Sequence, residues 1–570
     1  MMPGIRKARK IPVAAALPVF ILIASVQFMY SRPVSAGVTE TAGPDVREVR
    51  IGGKISGEVR LAGRVRVTED LLVLPGAKLH VAPGTVVSFD RSESSKVDPE
   101  YFHGGTEMVV RGTMRAEGAR FLFQGRSGGI VVDGGRAEFT DSVISGAEAG
   151  IAVLGGGAVT AAGALTVADC RVGVALFAGR LPAWAGKGEV SLEKNGVGAV
   201  RFPGAPPFPD TFLFRRSEEA DVVAWDGRIL SQRGDAPKPA PASGALRLGD
   251  TFIARSRELS GDVVVDGVIR VAPGSTLSIA PGSRIFFVFR DTDGDGIGES
   301  GIFLQGNLDA RGTKERPIGF YPLDGAGPGR WDAINFMASD QGENVLENVE
   351  IAGAYRGLHA HFSRFRGKGI RISGCFRGIQ FQESDVELTG VEVADSLSGL
   401  RCRDSDVRID GLRLRDTVSG ANFFRSRVKL SSPDLSRTGW YGIRLRESRV
   451  ELSGGAVRES FVGVSVQEGT VVAERLSVEA GGLAGIALQE GDVKIDGATV
   501  SRCRLDGISA TGAKAFVTGG TITEYGRYAV KLGGPAEMTL RGVELKSGRG
   551  AANPVYDGKV APGLGVVRIE

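Results

Sequence analysis

The chain has 570 residues, with 70 Lys and Arg against 66 Asp and Glu, a formal net charge of +4. That near balance, with no basic stripe interleaved with aromatics, excludes nucleic acid as the expected partner. Gly is abundant at 84 residues while aromatics make up only 7%, which suits a fold that turns every few residues around a narrow aliphatic core.

The first 36 residues read as an export signal. Arg6, Lys7, Arg9 and Lys10 form a basic start, an apolar stretch runs from Ile11 to about Tyr30, and Val34-Ser35-Ala36 offers a cleavage site. Pro12 and Pro18 weaken that stretch as a membrane helix, and no second apolar run of about 20 residues follows. The expectation is therefore an exported protein (periplasmic, cell-surface or secreted) with no transmembrane span after signal cleavage.

A first module is expected over 37–233. Its signature is Pro75-Gly76 and Pro83-Gly84, eight residues apart, with alternating strand residues between them. The phrase returns at Pro273-Gly274 and Pro281-Gly282, at the start of a second module over 245–570. Between them, 234–244 is rich in Pro and reads as an extended linker.

The second module carries the clearest periodicity. Gly357, Gly378, Gly399, Gly420, Gly442, Gly463, Gly485 and Gly507 recur every 21 or 22 residues. Within each repeat, apolar residues alternate in three short segments, as in Ile379/Phe381, Val386/Leu388 and Val391/Val393. Period 2 means strands, and three strands per repeat joined by Gly, Ser, Asp and Asn turns describe one triangular coil. The fold class is thus all-β: a parallel β-helix with three strands per coil, in two tandem modules.

The paired Pro-Gly phrases, Gly306-Asn307-Leu308-Asp309-Ala310-Arg311-Gly312, Trp331-Asp332-Ala333-Ile334 and the coils that follow resemble the exported bacterial right-handed β-helix repeat proteins, which share their coil with pectate lyases. The resemblance implies the right-handed fold and export. That family includes enzymes and binding proteins alike, so activity has to be argued from the residues.

Asp291, Asp293 and Asp295 alternate before a Gly, a spacing that wraps hard oxygen donors around one point. The expectation is a structural Ca2+ with these three side chains, the Ile297 carbonyl and Glu299 as ligands. An EF-hand would have Glu at its twelfth position, where this chain has Ile302, so the loop is read as an insertion between coils.

The residues after each ladder Gly form an outward ladder: His359 and His361, Gln380 and Gln382, Arg401 and Arg403, Arg444 and Arg446. With Trp440 adding stacking area, this is the candidate face for an extended polysaccharide or another envelope component. The His-x-His pair is expected to be solvent-exposed or to hydrogen-bond a ligand rather than to hold a metal. No catalytic residue is assigned, because the acidic turn at Asp385, Asp404 and Asp406 recurs as Glu447, Glu468 and Glu490. Non-catalytic binding or scaffolding is the leading function, with a polysaccharide lyase or glycoside hydrolase as the alternative. Register also argues against disulfides: Cys375 and Cys503 are six coils apart, roughly 29 Å at ~4.8 Å per coil, and Cys402 faces inward.

Overall fold

The computed structural model describes residues 48–91, 105–177, 184–202, 204–224, 239–325, 327–479, 481–546, 555–556 and 565–570. The segment 1–36 read as an export signal and residues 234–238 of the expected linker lie outside the described residues. All regular structure described is strand, and no helix there is long and apolar enough to cross a membrane. The chain forms a parallel β-solenoid of about 21 turns.

Contacts divide the chain into two compact units. The first comprises 1–175, 181–199 and 208–221, and the second comprises 176–180, 200–207 and 222–570. Strands between Val49 and Ala224 build a 14-stranded and a 6-stranded sheet, and those from Leu246 to Ile569 build one of 37 strands. In the long series each strand pairs in parallel with its equivalent one coil later, so Leu358, Ile379, Leu400, Ala421 and Ile443 stack in one column. Their neighbours Phe381, Val386, Leu388, Val391 and Val393 are at most 1% exposed, which confirms three inward-facing strands per coil.

The ladder glycines have a steric cause. A Cβ on Gly378 would lie 2.7 Å from the Gly399 carbonyl oxygen and 2.4 Å from Val393 Cγ1. The same clash recurs down the series, from Gly357 against Gly378 O at 2.7 Å to Gly507 against Ala529 O at 2.6 Å. Coils one strand-spacing apart leave no room for a side chain at this point.

The corners are set differently. Each coil turns three times, with a left-handed residue at each corner: Glu383 (φ 50°), Gly390 (62°) and Asp395 (49°), then Asp404 (49°), Gly411 (70°) and Asp416 (54°) one coil on. A non-Gly residue there costs roughly 1–2 kcal/mol, and short acidic side chains adopt it more readily than most. Beside the first corner a serine column ties coils together. Ser384 Oγ donates to Gln382 O (2.7 Å) and accepts from Ser363 N (3.2 Å), and Ser405, Ser426 and Ser448 repeat the pattern. At the third corner Cys375, Ser396, Thr417 and Thr438 succeed one another, so Cys375 fills a small-residue slot, its Sγ 3.4 Å from Ser373 O. All four cysteines are buried and free.

The described part of the Pro-rich segment belongs to the second unit and is held to its first coils. Ala242 N–H donates to Asp262 Oδ2 at 2.6 Å, and Ala245 packs on Val264, Phe286, Tyr321 and Ala352. Composition suggested an extended tether, but an outward apolar column on the first coils gives this end of it a surface to cover.

Candidate functional site

The register places the ladder as the sequence spacing requires. Asn335, His359, Gln380, Arg401, Asn422 and Arg444 form one outward row, and Met337, His361, Gln382, Arg403, Phe424 and Arg446 form the next. The two rows differ in exposure. His359 is 4% exposed, Gln380 5%, Arg401 8% and Arg444 3%, whereas His361, Gln382, Arg403 and Arg446 are half-buried. Pointing out of the coil is therefore not the same as being solvated, and the first row departs from the open face expected. Its members bond within the ladder: Gln380 Oε1 accepts from Arg377, and Arg444 donates to Gln467 Oε1 at 3.1 Å while lying 4.5 Å over the Tyr441 ring.

Trp440 also departs from expectation. It is 2% exposed and offers no stacking platform. Within the second unit its ring packs 5.4 Å from Phe461, 6.0 Å from Phe202 and 6.1 Å from Phe177. Two of these rings come from positions more than 200 residues away, which repeat spacing does not reveal.

The half-buried row borders a groove of about 530 Å³. Its walls come from the first corners of four successive coils: Glu383 to Asp385, Asp404 to Asp406, Arg425 to Arg427, and Glu447 with Arg449. Arg425 holds Asp404 through two bonds of 2.7 and 2.8 Å, and Arg403 adds a third at 3.0 Å. Phe424 lies between guanidiniums, with Arg446 at 4.3 Å, Arg425 at 4.4 Å and Arg403 at 5.7 Å from its centroid. Desolvation alone would raise the Asp404 pKa, but hydrogen bonds from Arg425 and Arg403 outweigh it and hold the carboxyl below its ordinary range. Glu383, one coil earlier, is pushed the other way, by desolvation first and by the Asp404 charge second. The groove was only partly legible beforehand. The acids stood out in the sequence, whereas the arginines that pair them fall at the same corner one coil later.

The acidic loop lies between the strands Arg284–Phe287 and Gly301–Leu304. Ligand atoms of Asp291, Asp293 and Asp295 lie within 4.8 Å of one another. Asp291 Oδ1 accepts from Gly294 N (2.8 Å) and Asp295 N (3.0 Å), its Oδ2 from Gly296 N (2.9 Å), and Asp295 Oδ1 from Ile297 N (2.7 Å). Three carboxylates on one tight turn match the hard-oxygen chemistry of Ca2+. Glu299 is turned aside, its Oε1 accepting from the Thr292 N–H (2.9 Å) and hydroxyl, where it closes the base of the loop.

No family model matches the chain, and no curated protein matches it. Among solved structures it is similar to the catalytic unit of a GH87 alpha-1,3-glucanase from Streptomyces thermodiastaticus (12% identity over 57% of this chain and 70% of that one, TM-score 0.33). It is also similar to the A-module of the mannuronan C-5 epimerase AlgE4 from Azotobacter vinelandii (10%, 54% and 91%, TM-score 0.30) and to a periplasmic alginate epimerase, AlgG (10%, 83% and 84%, TM-score 0.20). At these identities and scores the likeness carries no statement about chemistry.

Proposed function

We propose that this is an exported β-helix protein that binds polysaccharide at the cell envelope without cleaving it. The ligand follows the half-buried row (His361, Gln382, Arg403, Arg446) and the groove beside it. The observation that carries this reading is the groove's extent. It draws on four successive coils, about 14 Å at ~4.8 Å per step, which suits an extended chain better than a small molecule. The groove itself sets five carboxylates beside Arg425, Arg427 and Arg449, so its charges are mixed, and Arg403 and Arg446 of the adjoining row are the groups that would favour anionic sugars such as uronates. The buried row (His359, Gln380, Arg401, Arg444) and Trp440 then act as supports that fix the open row rather than as direct contacts. The loop of Asp291, Asp293 and Asp295, with the Ile297 carbonyl, holds a structural Ca2+, and Glu299 braces it.

One observation favours the second reading, a polysaccharide lyase or glycoside hydrolase. Glu383 and Asp404, on adjacent coils, have pKa values pushed in opposite directions, as an acid and its partner carboxylate require.

A polysaccharide array read for both retention and product release, with and without Ca2+, tests both. The binding reading expects retention of acidic polysaccharide that Arg403→Ala with Arg446→Ala weakens, and no release of reducing ends or unsaturated sugars. Product formation lost in Glu383→Gln would replace it with the catalytic reading. Neither retention nor release would leave a scaffold.

A further inference from the structure

Phe362 turns the first corner of its coil. Its N–H donates to Gln382 O (3.2 Å), as the Glu383 N–H does to Arg403 O (2.9 Å) and the Asp404 N–H to Phe424 O (3.0 Å). Phe362 therefore holds, one coil earlier, the place that Glu383, Asp404, Arg425 and Glu447 hold along the groove. Its backbone is left-handed, at φ 49°. Among the described residues it is the only aromatic one in that conformation, which crowds a bulky side chain more than the short ones of Asn or Asp. The strain is held in place from the next residue: Ser363 N–H donates to Ser384 Oγ (3.2 Å), and Ser363 Oγ donates to His361 O (2.8 Å).

A ring buried in the core would offset that strain by leaving water, but Phe362 remains 55% exposed. A strained backbone and an aromatic surface left in water thus coincide at one end of the groove, on the same corner as its walls. We propose that Phe362 is a stacking platform for one pyranose ring at that end, and that it selects sugars with an unbroken C–H face, such as β-glucuronate, whose hydroxyls are equatorial. The proposal rests on the polysaccharide reading above and adds a subsite to it. With Phe362 the groove spans five coils, roughly 19 Å at ~4.8 Å per step. Stacking covers apolar C–H surface and owes little to charge. Phe362 then reads the face of a sugar ring, while Arg403 and Arg446 read carboxylates.

The test is calorimetric titration of the full-length protein and its variants with a β-1,4-linked polyglucuronate, at low and at high salt. Phe362→Asn should weaken binding about tenfold at both, because a stacked ring is a contact that salt does not screen. Phe362→Tyr should bind like the natural protein. Arg403→Ala with Arg446→Ala should weaken binding chiefly at low salt. Asn adopts the left-handed conformation readily, so the denaturant midpoint of Phe362→Asn should equal or exceed that of the natural protein. Polyguluronate, with axial hydroxyls on its rings, should bind more weakly than polyglucuronate, and equal affinity would overturn the selectivity. No binding by the natural protein would overturn the polysaccharide reading and the subsite together. Binding undiminished in Phe362→Asn would overturn the subsite alone. So would a fall confined to low salt, or one accompanied by a lower midpoint, which would mark the ring as structural.

Discussion

The glycine and the corner residue show two ways in which one backbone position can constrain a side chain. Gly378 is required by space, since a Cβ would meet the next coil's carbonyl at 2.7 Å. Gly378→Ala should therefore destabilise the protein by about 1–3 kcal/mol, read as a lowered denaturant midpoint. Gly390 has φ 62° and nothing within 4 Å of its missing Cβ. Gly390→Ala should cost roughly 1–2 kcal/mol, from the left-handed backbone alone, and a loss larger than that of Gly378→Ala would sink the steric account. His359 gives a pH prediction at the same scale. Its folded pKa is depressed, so the folded chain refuses a proton that the unfolded chain accepts below about pH 6.5. The stability it contributes is present above that pH and lost as pH falls. His359→Gln should remove that part of the acid sensitivity, and an unchanged pH profile would contradict it.

At the scale of an element, the serine column and the acidic loop do different work. Ser405 Oγ satisfies Ser384 N and caps Arg403 O, so Ser405→Ala leaves a buried N–H unpaired. The expected cost is about 1–3 kcal/mol, and hydrogen exchange should speed up at Ser384 more than at distant coils. The column was visible as Ser363, Ser384, Ser405, Ser426 and Ser448 at coil spacing. Its bonding was not, because the hydrogen bonds run between coils. For the loop, removing Ca2+ with a chelator should increase proteolytic cutting between Asp291 and Glu299 in the natural protein and change nothing in Asp293→Asn. Equal cutting with and without Ca2+ in the natural protein would remove the ion from the proposal.

For the whole molecule, stability spreads over many near-identical coil-to-coil interfaces, as in other solenoids, so a local lesson need not be a global one. The export reading is tested here as well. In a bacterial host the protein should fractionate with the periplasm or medium, with a mature N-terminus after Ala36. Recovery in the cytoplasm with an intact leader would refute it.

The sequence by itself determined the coil. Gly and apolar periodicity fixed three strands per turn, the register of every ladder residue, and the inward place of Cys402, because a parallel solenoid repeats in space what it repeats in sequence. It also showed the acidic loop as an insertion outside that repeat. Tertiary structure decided which outward residues meet solvent. Asn335, His359, Gln380 and Arg444 share a row that spacing made outward, yet each is nearly buried, and Trp440 is sealed by Phe177 and Phe202. The reason is physical: alternation sets the direction of a side chain, while exposure depends on what packs over it, which is neighbouring side chains such as Arg377, Gln467 and Tyr441 along the row and distant rings at Trp440. The 3.0 Å approach of the two histidine nitrogens belongs to the same class of fact. Spacing put the His359 and His361 rings on one side, and the folded chain brings their Nε2 atoms together while His359 Nδ1 lies 3.0 Å from Asn335 Oδ1.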